Sequence, residues 1–170
     1  MQTLNSTISS NKEQEPLQAL WLKECAEAEE LQKIRCTDAF DAFTICFKLR
    51  KWNAVRFCEI TGLSQTIFSK IKNKSYKEGT FPSLQSVVAI CVGLQIPLSY
   101  SIEILNHCGY SITNSKRDRC YKFILTHYEQ FDIDEANEFL IKNGFDAISD
   151  RDIYKNRNFA LQQIELPKSV

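Results

Sequence analysis

Residues 54–73, AVRFCEITGLSQTIFSKIKN, constrain this chain most, because they read as a short helix, a glycine turn and a second short helix with a polar outer face. Two helices that cross at a steep angle need a small residue at their contact and a turn that accepts positive φ. Cys58 and Gly62 fill those slots. A residue with a β-carbon would lose roughly 1 kcal/mol or more in left-handed backbone, a cost that glycine avoids. Leu63 is then expected to point inward and Ser64 to cap the second helix. Phe68 and Ile71, three residues apart, take its buried face and leave Gln65, Thr66, Ser69, Lys70 and Asn73 outward.

Charge is concentrated on the same stretch. The whole chain of 170 residues is neutral. Residues 44–77, however, carry eight basic side chains (Lys48, Arg50, Lys51, Arg56, Lys70, Lys72, Lys74 and Lys77) against Glu59 alone, a balance of +7. The flanking stretches are acidic, −4 over residues 1–43 and −3 over 78–170. A basic island on a polar helix is the electrostatic footprint of phosphate contact.

The residues after the motif extend the pattern. PSLQSVVAICVGLQIP at 82–97 opens on Pro-Ser-Leu, continues as an apolar stripe and exits on Gly-Leu. Over roughly residues 40–108 the chain resembles the lambda-repressor and Cro type of helix-turn-helix DNA-binding proteins, the xenobiotic-response-element-like family. The resemblance implies a five-helix fold whose second motif helix enters the major groove of double-stranded DNA. By position Gln65, Thr66 and Lys70 would read bases, and Ser64, Ser69, Lys72, Asn73, Lys74 and Lys77 would meet phosphates. Cys58, Gly62, Leu63, Phe68 and Ile71 would hold the motif together. The chain departs from the family where Lys74 follows Asn73 in place of the usual glycine, and where SYKEGTF lengthens the loop before Pro82.

Helical periodicity organises the rest, and no stretch alternates with period two long enough for a strand, so an all-α chain is expected. Residues 1–15 are polar and expected to be disordered. Residues 16–36 read as an N-terminal helix, from Pro16 through Leu17, Leu20, Trp21, Cys25, Ala28 and Leu31, with Glu24, Glu27, Glu29 and Glu30 outside. Trp21 is expected to be buried as core; exposed, it would favour dimerisation. The DNA-binding unit spans 37–109, opened by Asp38 or Asp41 and closed by a fifth helix over about 98–108. Residues 110–148 read as a helical hairpin with capping boxes at Ser115–Asp118 and Asp132–Glu135. It resembles C-terminal extensions of some helix-turn-helix proteins of Gram-positive bacteria. A last short helix from Ser149 belongs to a tail, 149–170.

Other chemistry finds little support in these residues. The seven cysteines contain no C-x-x-C pair, and His107 and His127 lack a partner at i+4, so no metal site is expected. Buried, reduced cysteines fit a chain without an export signal or a bilayer-length apolar run, and a cytoplasmic location without membrane attachment is expected. No glycine-rich phosphate loop or cofactor motif occurs, and no enzyme activity is expected. The expected function is therefore sequence-specific transcriptional regulation. It would act as a homodimer, because one short helix reads only a few base pairs. The alternative is a helix-turn-helix-derived interaction module, such as an antitoxin or mobile-element accessory factor, with little DNA binding. It would hold a protein partner through the acidic N-terminal helix or the C-terminal hairpin.

Overall fold

The computed structural model describes residues 17–77 and 79–149. Among these, eight α-helices and two short 3₁₀ turns account for the regular structure, and no strand occurs. None of these helices is long and apolar enough to cross a membrane. The expected polar N-terminal tail and, beyond Ser149 itself, the last short helix lie outside the described residues.

The first helix, α1 (Leu17–Gln32), passes through a 3₁₀ turn at Lys33–Cys36 into α2 (Ala39–Leu49). Asp38 starts α2, its carboxylate accepting the Asp41 N–H at 2.9 Å. Then follow α3 (Ala54–Thr61), α4 (Gln65–Lys72), α5 (Leu84–Leu94), α6 (Leu98–His107), α7 (Lys116–Thr126) and α8 (Ile133–Lys142). Helix α5 is the central post. It is apolar on nearly every side, with Val87 through Val92 and Leu94 all buried, and α3, α6, α7 and α8 pack around it. The α7–α8 hairpin therefore shares one hydrophobic core with the motif helices, running from Leu31 to Ile148.

Aromatic packing fixes the end of this core nearest the motif. Phe47 stacks on Phe43, Trp52 and Phe68 at ring distances of 6.1, 5.6 and 5.2 Å, and Phe57 meets it edge-on at 5.7 Å. At the far end of α5, Arg50 donates from Nε to the Leu94 carbonyl at 2.9 Å and from Nη2 to the Gln95 carbonyl at 3.1 Å. It also reaches Glu27 of α1 at 2.7 Å. The unpaired carbonyls that end a helix are thus met by a cation, which suits the helix dipole.

Two expectations need correction. Trp21 is 60% exposed, because α1 touches the body only through its C-terminal half and Leu31 is its one buried residue. Ser115 accepts the Asp118 N–H as expected, but the reciprocal half of that capping box is missing. The Asp118 carboxylate turns instead to the N–H and hydroxyl of Thr113. The box at Asp132 and Glu135 has both halves.

Candidate nucleic-acid interface

Local sequence builds the α3–α4 unit step by step. Asn53 caps α3 by accepting the Arg56 N–H at 2.8 Å. At the other end Gly62 adopts φ 67 and ψ 12, a left-handed conformation, and its N–H returns to the Cys58 carbonyl at 3.0 Å. Thr61, fully buried, donates its hydroxyl to the Phe57 carbonyl at 2.7 Å and accepts the Leu63 N–H at 3.1 Å. The turn between the helices is thereby held from both sides. Cys58 and Leu63 are half-buried and pack on the core.

Helix α4 then buries Phe68 and Ile71 and exposes Gln65, Thr66, Lys70 and Lys72, with Asn73 exposed at its C-cap. Ser69 is half-buried. Ser64 occupies the N-cap position and its carbonyl accepts the Ile67 N–H, but its hydroxyl makes no capping bond. The expected side-chain cap is therefore replaced by backbone alone, which leaves the exposed hydroxyl of Ser64 to face outward contacts.

Lys74 stands where the resembled family places glycine, and its backbone does what that glycine would do. Its φ is 50, its N–H returns to Ile71, and Ser75 closes on Lys70 at 2.9 Å. Its side chain is committed elsewhere: Nζ lies 3.3 Å from Asp38 and 2.9 Å from Asp41 at the start of α2. The Asp41 bond, then the Asp38 bond, raise the Lys74 pKa. Asp38 is lowered chiefly by the N–H of Asp41, with Lys74 adding to the effect. Both groups thus remain charged through neutral pH.

The long loop after α4 is pinned. Phe40 of α2 stacks on Tyr76 at 5.8 Å and on Phe81 at 5.3 Å, while the Lys70 ammonium sits 5.6 Å above the Tyr76 ring. Lys77 follows, exposed, and its carbonyl accepts from Thr80 to close a turn. Of the basic island, Arg50 and Lys74 are used inside the fold and Arg56 lies 3.9 Å from Glu59. Lys48, Lys51, Lys70, Lys72 and Lys77 are exposed, and no carboxylate lies within ion-pair distance of them among the described residues.

Comparison with protein-family models, curated proteins and solved structures finds no match.

Two features of the site come into view only with the tertiary fold. Ala147, Ile148 and Ser149 come to lie in a groove beside Gly62, Leu63 and Ser64. Buried Asn137 holds them there, accepting the Ile148 N–H at 2.8 Å and donating to the Ser149 hydroxyl at 3.1 Å. Gly93 of α5 lies tight against α3: a β-carbon there would sit 2.8 Å from Ile60 Cγ2. The small slot that the sequence located at Cys58 thus has a counterpart on α5, for which a glycine in the middle of a helix was the available hint.

Cys46, Cys91 and Cys108 are buried in the core, and the two histidines bond backbone carbonyls. Burial pushes the Cys46 and Cys108 thiols up to about 12 and raises Cys91 further. His107 Nε2 donates to the Ile34 carbonyl and His127 Nδ1 to the Phe123 carbonyl, each at 2.9 Å.

Proposed function

We propose that this chain binds double-stranded DNA, laying α4 in the major groove as a lambda-repressor-like helix-turn-helix protein, and acts as a transcriptional regulator. The observation that carries this reading is the outer face of α4. Gln65, Thr66 and Lys70 are exposed together on a helix whose other side is anchored by Phe68 and Ile71 in a stacked aromatic core. A rigid helix with amide, hydroxyl and ammonium groups on one side can reach base edges, and flanking lysines can neutralise phosphates. Ser64, Ser69, Lys72, Asn73 and Lys77 are the phosphate contacts, and Lys74 joins them only by leaving Asp38 and Asp41. Pairing of two copies on a two-half-site operator follows from the few base pairs one helix can read.

Titration of a random-sequence duplex at two salt concentrations tests the reading. Binding should weaken steeply with salt, and Lys72→Ala should reduce the slope by about 1. Absence of salt-sensitive binding would refute it. The interaction-module alternative draws its support from the two basic side chains, Arg50 and Lys74, that are paired with carboxylates inside the fold.

A further inference from the structure

Helix α1 presents an apolar face that the rest of the described chain does not cover. Leu17 is 84% exposed and Trp21 60%, with Leu20 and Leu22 also exposed. Leu17, Trp21, Glu24, Ala28 and Leu31 recur in steps of four and three, so they form one stripe along the helix. Two unsupported helical turns have little stability of their own in water.

The lower part of that stripe lines an open groove of about 710 Å³. Its floor is Ala28, Leu31, Pro97 and the rings of Tyr100 and Tyr128. Its rim is acidic, formed by Glu24, Glu27 and Glu129. Arg50, which lines it, is held by Glu27 and by the two carbonyls at the end of α5, and the Arg35 guanidinium lies 5.9 Å from the centroid of the Tyr100 ring.

We propose that this groove, with the exposed stripe above it, docks an amphipathic basic helix of a partner protein. Apolar side chains of the partner cover Trp21, Leu17 and the tyrosine floor, and its lysines or arginines face Glu24 and Glu129. Charge decides the occupant. A second copy of α1 laid on this stripe would bring its Glu24 towards Glu24 and Glu129, neither of which has an ion-pair partner among the described residues, and that is repulsive; a phosphate backbone meets the same obstacle. The groove also stands clear of α4. Arg50, at the C-terminal end of α2, meets the groove, whereas Lys74 meets α2 at its first turn, so both surfaces are available at once. The proposal is independent of DNA binding.

Two synthetic helical peptides with the same leucine spacing, one with lysine and one with glutamate on the polar face, serve as probes for calorimetric titration of the full chain. The lysine peptide should bind, more weakly as salt rises, and the glutamate peptide should not. Trp21→Ala should weaken the lysine peptide by at least about tenfold, as loss of a central aromatic anchor does. Glu24→Gln with Glu129→Gln should weaken it and remove its salt dependence. All three positions are on the surface, and thermal melts of the variants should overlay the parent. Equal binding of both peptides, binding of neither, or an unchanged affinity in Trp21→Ala would overturn the proposal. So would a peptide-free oligomer that Trp21→Ala dissolves, since that outcome makes a second copy the occupant.

Discussion

Replacing Gly93 with alanine sets two effects of opposite sign against each other. Gly93 lies inside α5, where alanine is favoured over glycine by about 1 kcal/mol through helix propensity alone. A β-carbon there would stand 2.8 Å from Ile60 Cγ2 and 3.2 Å from both Thr61 Cγ2 and the Trp52 ring, well inside the roughly 3.5–4.0 Å of ordinary carbon contact. None of these neighbours yields easily. Ile60 Cγ2 is attached directly to a branched β-carbon, Thr61 is held by its hydroxyl to Phe57, and Trp52 is stacked on Phe47. Overpacking of this kind costs about 1–3 kcal/mol. The net expectation is a loss of about 1 kcal/mol, which lowers the melting temperature by roughly 2–4 °C in a chain of this size. Circular dichroism melts and urea titration measure it. In an Ile60→Ala background, which removes Cγ2, the same substitution should become neutral or stabilising. A rise in melting temperature for Gly93→Ala alone would refute the close α3–α5 contact, and with it the account of how α3 and α4 are oriented.

Further outcomes follow from the charged groups. Burial alone would raise the pKa of Asp118, but hydrogen bonds from Thr113 and Ser115 and the nearby Arg117 outweigh it and hold the carboxyl below its ordinary value. A carboxylate depressed in the folded state stabilises above its unfolded pKa and loses that contribution as pH falls through the folded value. Asp118→Asn should therefore cost about 1–3 kcal/mol near neutral pH. In melts recorded at successively lower pH, the gap to the parent should close below about pH 4, and a constant gap would contradict the assignment. Asp38→Asn with Asp41→Asn should release Lys74 and remove two negative charges beside α4. Affinity for random duplex should rise and the salt slope steepen by about 1, whereas weaker binding would show that those aspartates position the helix.

Much of the motif was legible because its determinants are local. Glycine at position 62 favours a left-handed turn, and the three-residue spacing of Phe68 and Ile71 marks the inner face of α4 whatever surrounds it. The errors arose where the deciding partner is distant in sequence. Periodicity gives α1 an apolar stripe but cannot say whether another element reaches Trp21. Counting charges includes Arg50 and Lys74 in a basic island, although the Leu94 carbonyl, Glu27, Asp38 and Asp41 engage them. The departure at Lys74 was visible, but not that its backbone would take φ 50 and its side chain would pair with aspartates of α2. The Ser64 hydroxyl was assigned to a cap that backbone geometry alone supplies. The placement of Ile148 and Ser149 beside α4 needed the tertiary fold, since Asn137 carries no sequence mark of its clamping role.

Sequence reading by α4 is the central claim, and comparing Gln65→Ala with the parent chain on two duplexes tests it most directly. One duplex is a site selected from a random pool, and the other is the unselected pool at the same salt concentration. The account predicts a loss of about 1–3 kcal/mol on the selected site and no change on the pool. An equal loss on both, or no loss on either, would contradict it.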